Sequence, residues 1–169
     1  MGKLFGTDGI RGVPWGYPFT VDFIRKIGSA ASLVLSGARG AGRARPIALI
    51  GMDSRASCRK IKKALVEGLS AHNFKTFDLG IIPTPAVAYL VKRENADFGI
   101  VISASHNPPE FNGIKFFSRA GLKLSDAIEA KIEKLLLSGR ALPFKTFGLD
   151  IHKKDYSADY EEFIRSTLP

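Results

Sequence analysis

Between residues 47 and 103 the chain alternates short, unbroken apolar runs with stretches whose apolar residues recur every three or four positions, and few folds satisfy that pattern. Ile47-Ala48-Leu49-Ile50-Gly51-Met52 has no polar face, so as a strand it must be covered on both sides. Ile61, Ala64, Leu65, Gly68 and Leu69 then mark the inward stripe of a helix, with Lys60, Lys62 and Lys63 toward water. The pattern predicts a second strand over residues 74–79, a helix over Thr84–Arg93 with Pro85 in its first turn, and another buried strand over residues 98–103. Such alternation favours parallel pairing with helices on both faces of the sheet. The expected architecture is α/β: a three-layer α/β/α sandwich around a mixed, mainly parallel sheet.

The flanking segments add to this frame. Phe23, Ile24, Ile27, Ala31, Val34 and Leu35 give residues 20–36 a helical stripe, with Thr20 placed as N-cap, Asp22 in the first turn and Gly37 after the end. Residues 36–45 are small, glycine-rich and basic, which suits a surface loop. Residues 114–117 and 122–124, joined at Gly121, read as a hairpin, and Ser125 caps a helix with Ile128, Ile132, Leu135 and Leu136 inward. His72 reads as a surface or capping residue. Past Gly139 the pattern dissolves until Tyr160, Phe163, Ile164 and Leu168 restore a helical stripe. The expectation is one domain over residues 1–148, and at 149–169 a linker and the first helix of a second domain that continues past Pro169.

At 169 residues the chain is long enough for one domain with a real core. No run approaches the roughly 20 apolar residues of a membrane span, and Met1-Gly2-Lys3-Leu4-Phe5-Gly6 lacks a secretory apolar stretch, so the expected compartment is the cytoplasm. The single cysteine, Cys58, allows no internal disulfide and reads as a small, partly buried residue. Lys and Arg number 25 against 16 Asp and Glu, a formal charge of +9, so the surface should attract anions. Phosphorylated metabolites, nucleic acid, anionic lipid or an acidic partner domain would each suit. Neither basic stretch, residues 39–45 or 55–63, interleaves aromatics as a single-strand binder would.

The segment Ile102-Ser103-Ala104-Ser105-His106-Asn107-Pro108 follows a predicted strand directly. Ligands of open α/β sheets gather beyond the carboxyl ends of strands, so its position makes this loop a candidate site. Ser105 supplies a hydroxyl able to hold a phosphoryl group, His106 and Asn107 supply side-chain hydrogen bonds, and Asn107, preceding proline, is biased away from helix. A polar turn would have the same composition. A serine hydrolase fits poorly, because Ser105 and His106 are adjacent in an extended loop and no Gly-x-Ser-x-Gly elbow exists. His72, His106 and His152 have no paired metal-ligand spacing.

Ser103-Ala104-Ser105-His106-Asn107-Pro108, followed by Asn112-Gly113-Ile114-Lys115-Phe116-Phe117, resembles the active-site serine motif of the α-D-phosphohexomutase superfamily. Gly6-Thr7-Asp8-Gly9-Ile10-Arg11-Gly12 is similar to the N-terminal signature of that superfamily, Gly51-Met52-Asp53-Ser54-Arg55 to its Gly-x-Asp-x-Arg turn, and Pro83-Thr84-Pro85 to its Pro-Thr-Pro turn. The four matches keep the family's order, and the wording around Ser105 and Asn112 favours its phosphoglucosamine branch over the phosphomannomutase and phosphoglucomutase branches.

The resemblance implies a reversible exchange of glucosamine 6-phosphate and glucosamine 1-phosphate through a phosphoserine enzyme and a bisphosphorylated sugar, an ordinary use of a covalent intermediate. It places the phosphate on Ser105, proton transfer at Lys115, and a phosphate-clamping guanidinium at Arg11. Thr7, Asp8 and Gly9 then shape the N-terminal loop, Asn107 and His106 brace the serine loop with a direct catalytic role for His106 as the lesser reading, and Asp53 and Arg55 belong to the architecture. The resemblance also implies Mg2+, held here only through the phosphate of Ser105, since the family's Asp-Gly-Asp-Gly-Asp loop does not occur in this sequence. It covers about one of four domains. The expected partners are a phosphosugar, the remaining domains of a parent chain without which this portion is inactive, and a second copy in a homodimer, with neither nucleic acid nor membrane. A phosphomannomutase or phosphoglucomutase domain, and a basic nucleic-acid-binding module, stand as the alternative readings.

Overall fold

The computed structural model describes residues 4–36 and 45–168. The glycine-rich basic segment expected as a loop lies outside them at residues 37–44. Seven strands form one sheet among the described residues: β1 (Phe5–Gly6), β2 (Gly9–Gly12), β3 (Ile47–Met52), β4 (Lys75–Ile81), β5 (Phe98–Ile102), β6 (Asn112–Ser118) and β7 (Ile151–Lys153). Five helices accompany them: α1 (Val21–Leu35), α2 (Cys58–Ser70), α3 (Thr84–Arg93), α4 (Asp126–Leu137) and α5 (Ser157–Ser166). No helix is long and apolar enough to cross a membrane among the described residues.

The strand order is β1-β2-β6-β5-β3-β4-β7. Strands β5, β3, β4 and β7 pair in parallel, whereas β1, β2, β6 and β5 pair antiparallel, so the mixed sheet divides evenly between the two modes. Strand β3 shows why its run is apolar throughout. Ala48, Ile50 and Met52 join Ile24, Ile27, Ile61, Leu65 and Ile132 on the α1/α2/α4 side, while Leu49 joins Ala86, Val87, Leu90 and Val91 of α3 on the other.

Local chemistry sets the helix ends. Thr20 Oγ1 accepts the Phe23 amide at 3.3 Å, a cap worth about 1 kcal/mol, and Pro85 sits in the first turn of α3 where its missing N–H costs nothing. Helices α1 and α2 touch backbone to backbone, because a Cβ on Gly68 would lie 2.2 Å from the Arg25 carbonyl oxygen. Beside that contact Arg25 Nε donates to the buried Glu67 carboxylate at 2.6 Å. His72 is half-buried and shares a 2.7 Å hydrogen bond with Ser29, and burial pushes its pKa down.

Three segments differ from the sequence reading. The hairpin expected across Gly121 shrinks to a single bridge, Phe117 to Lys123, because β6 spends its hydrogen bonds on β5 and β2 and Leu122 is turned to solvent. The N-terminal signature, read as a loop, forms the β1/β2 ribbon. Within the stretch expected as a linker, β7 adds a parallel edge to β4, where the Thr76 amide also donates to the Asp150 carbonyl at 2.9 Å. Helix α5 rests on α3 through Phe163 stacked at 4.0 Å on Tyr89, with Arg93 paired to Asp159 at 2.6 Å, yet none of its residues is buried.

Candidate functional site

Strand β5 ends at Ile102, and the chain crosses the sheet end before returning as β6. One further ladder bond, Ser103 N to Gly113 O at 3.0 Å, carries the pairing to the base of the loop. Ser103 and Ala104 are buried, and Ser105 and His106 are exposed. Ser105 has φ +58°, in the left-handed region that serine seldom adopts. Its amide donates to Ser103 Oγ at 2.9 Å, and the Asn107 amide to the Ala104 carbonyl at 3.1 Å. The Ser105 hydroxyl has no hydrogen-bond partner among the described residues, so it is free to bond elsewhere.

Arg55, from the turn after β3, grips this loop from beneath. Nη1 donates to the Pro108 and Phe111 carbonyls at 2.6 and 3.0 Å, and Nη2 to those of Ser105 and Asn107 at 3.0 and 2.8 Å. Nε and the amide of Arg55 donate to the two Asp53 oxygens at 2.9 and 3.1 Å. Burial alone would raise the Asp53 carboxyl, but hydrogen bonds from the Ser103 hydroxyl, the Arg55 amide, Cys58 and the Arg55 side chain hold it below the usual carboxylate range.

Cys58 donates to Asp53 at 3.1 Å and is fully buried rather than partly so. Burial first, then the neighbouring Asp53 charge, push its thiol up to about 11, while a hydrogen bond from Asn112 works the other way. At pH 8 it is a thiol, which is not the nucleophilic form. Iodoacetamide should therefore leave Cys58 unmodified in the native protein and alkylate it once the chain is unfolded in guanidinium. Peptide mass mapping reads the outcome, and rapid native alkylation would contradict the burial described.

The N-terminal ribbon brings the remaining cations. Strand β2 lies against β6 with Arg11 opposite Gly113, and Arg11 Nη1 donates to Asn107 Oδ1 at 3.3 Å. Asp8 links the group: it pairs with the buried ammonium of Lys115 and lies 3.9 Å from Arg11 Nη2. Lys115 thus reaches the serine loop through Asp8 and Arg11. Thr7, Asp8, Gly9 and Arg11 line a groove of about 360 Å³. A larger cleft of about 600 Å³ between β1 and α4 shares Thr7 but includes none of Ser105, Arg11 and Lys115. His106 is exposed, and its ring makes no hydrogen bond among the described residues.

Lys115, Asp8, Arg11 and Asn107 are thus joined in one chain of contacts that ends two residues from Ser105, with Thr7 and Gly9 in the adjoining groove and His106 standing apart. One contributor went unrecognised, Ser103, whose hydroxyl accepts from the Ser105 amide, while Arg55, expected as part of the architecture, holds the serine loop itself. A signal for Arg55 existed, since its turn follows a central strand at the same sheet end as Ser105. Among the described residues no three His, Cys, Asp or Glu side chains converge on a metal position.

The sequence model described as phosphoglucomutase/phosphomannomutase, alpha/beta/alpha domain I, matches residues 2–142. The phosphoglucosamine mutase of Caldicellulosiruptor bescii is 44% identical over 172 residues, and that of Acetivibrio thermocellus 45% identical over 172 residues. Each alignment covers 99% of this chain, which spans 37% of the relative's length. A solved structure from Thermus thermophilus, carrying a provisional phosphomannomutase assignment, superposes with a TM-score of 0.83 at 26% identity, over 100% of this chain and 37% of that one.

Proposed function

This chain belongs to the phosphoglucomutase/phosphomannomutase family as its α/β/α domain I, and from that premise we propose that it carries the phosphoserine of a phosphosugar mutase. The observation that carries the reading is the exposed, unpartnered Ser105 hydroxyl at the end of a central strand, in a loop that the linked group Arg11, Asp8 and Lys115 reaches at Asn107. The proposed parent exchanges glucosamine 6-phosphate and glucosamine 1-phosphate, in keeping with the names of the relatives at 44% and 45% identity. Residues 1–148 form the first domain of that parent, and residues 149–169, whose β7 and α5 pack on it, lead into a second, which with the other domains completes the active site. The domain alone would turn nothing over.

In the proposed cycle a free sugar hydroxyl attacks the phosphorus held on Ser105. The new phosphorus–oxygen bond to the sugar forms as the bond to Ser105 Oγ breaks, the Lys115 ammonium giving a proton to the departing Ser105 Oγ as it takes up the sugar's. The bisphosphorylated sugar reorients, Ser105 Oγ attacks the other phosphate, and the proton returns to the departing sugar oxygen. Arg11 donates to phosphate oxygens, which suits a transfer governed by alignment and charge. Asn107 holds Arg11, Asp8 holds Lys115, Thr7 and Gly9 shape their loop, and His106 is a secondary candidate donor to the sugar. Mg2+, when bound at the Ser105 phosphate, would offset charge on the transferring group; its other ligands belong to other domains. The setting is the cytoplasm, in amino-sugar metabolism toward peptidoglycan precursors, with a homodimer as the assembly and no nucleic acid or membrane as partner.

The test is direct. Peptide mass mapping of the full-length parent should find a phosphoryl increment at Ser105, and turnover should be faster on glucosamine phosphate than on mannose or glucose phosphate. Preference for the neutral sugars would move the parent to another branch. Absence of phosphate at Ser105 after incubation with a bisphosphorylated sugar would overturn the mutase reading.

A further inference from the structure

We infer that Arg55, oriented by Asp53, is the positioning residue for the nucleophile, fixing the Ser105 loop through its backbone carbonyls; the inference rests on the mutase reading above. A guanidinium has five N–H donors, and all five of Arg55 are used within this chain: one on Asp53 and four on the carbonyls of Ser105, Asn107, Pro108 and Phe111. None remains for a phosphate, so Arg55 acts on the loop and not on the substrate. Four carbonyl oxygens turned toward one point repel each other unless a planar cation fills the space. Lysine, with a compact ammonium and three donors, does not reproduce that fork.

The strained residue lies inside the clamped segment. Ser105 is the one non-glycine residue with positive φ between 103 and 111. Its carbonyl is held by Arg55 Nη2, and its amide by Ser103 Oγ. The first hold traces to Asp53, which orients Arg55 by accepting from its Nε at 2.9 Å and its amide at 3.1 Å. The turn after β3 therefore fixes the backbone that carries Ser105 Oγ, and reacting groups displaced by about 1 Å lose up to about a hundredfold in rate.

The experiment compares the unsubstituted full-length mutase with Arg55→Lys, Asp53→Asn and Ser105→Ala, measuring kcat, KM, unfolding midpoint and amide exchange over residues 103–111. Arg55→Lys should lower kcat about tenfold to a hundredfold with KM changed less than about twofold, because sugar binding is left to other groups. Asp53→Asn should do the same more weakly, and both should speed exchange in the loop. An unchanged kcat for Arg55→Lys, or a rise in KM that accounts for the whole loss, overturns the inference. If either variant unfolds, the unsubstituted enzyme still decides: the Ser105 and Asn107 amides should exchange slowly despite exposure, and fast exchange overturns it. Ser105→Ala separates the two levels. Retained turnover there removes the mutase reading, whereas an inactive Ser105→Ala beside a fully active Arg55→Lys removes only the role of Arg55.

Discussion

Ser105→Ala should abolish mutase turnover in the full-length parent, by a factor on the order of 10³ or more, while moving its unfolding midpoint little. The substitution removes one oxygen atom. That oxygen is the proposed carrier, and its exposed neighbours offer no second hydroxyl in the same place: Ser103 is buried, with its oxygen occupied by the Ser105 amide. Because Ser105 is exposed and its hydroxyl unpartnered, the folded state loses no internal hydrogen bond, and an exposed change of this kind stays within about 0.5 kcal/mol. Coupled turnover assays and thermal unfolding on the same preparation check both halves. Activity above a tenth of the unsubstituted enzyme would mean that phosphate travels by another route, and the serine loop would lose its proposed role.

The elements legible in the sequence are those whose burial leaves a pattern. Strands β3 and β5 read correctly because both faces are covered, and α3 read to its ends because Pro83-Thr84-Pro85 breaks the chain before it. Strands β1 and β7, two and three residues long, are too short to alternate, and every residue of β7 is exposed, so no hydrophobic signal existed to find. The site divides in the same way. Ser105, Arg11 and Lys115 stand in motifs, and a motif is visible as spelling. The grip of Arg55 is not, because four of its five side-chain bonds end on backbone carbonyls, which every residue has, across a separation of 50 positions or more. The junction between Asp8 and Lys115 is hidden for a related reason: it depends on β2 lying beside β6 in one register, which neither segment specifies alone.

That register is also the most exposed to damage, and Gly9→Ala should show it. Gly9 has φ +82°, where a side chain costs about 1 kcal/mol or more, and a Cβ there would stand 2.3 Å from the Ile114 carbonyl oxygen and 3.1 Å from Lys115 Cα. Both obstacles are backbone atoms of β6, which cannot rotate away as a side-chain tip would. The ribbon must lift, and overpacking of this kind adds about 1–3 kcal/mol, so the midpoint should fall by roughly 10 °C. Lifting β2 also draws Asp8 from Lys115 and Arg11 from Asn107, so turnover of the full-length parent should drop even at temperatures where the variant stays folded. Gly6→Ala is the matched control: it lies in the same ribbon, its φ is not positive, and its Cβ would meet nothing closer than the Gly9 carbonyl oxygen at 3.7 Å, an ordinary contact. If Gly9→Ala melts and turns over like Gly6→Ala, β2 is not seated against β6 as described, and Arg11 and Lys115 are not brought together by the ribbon.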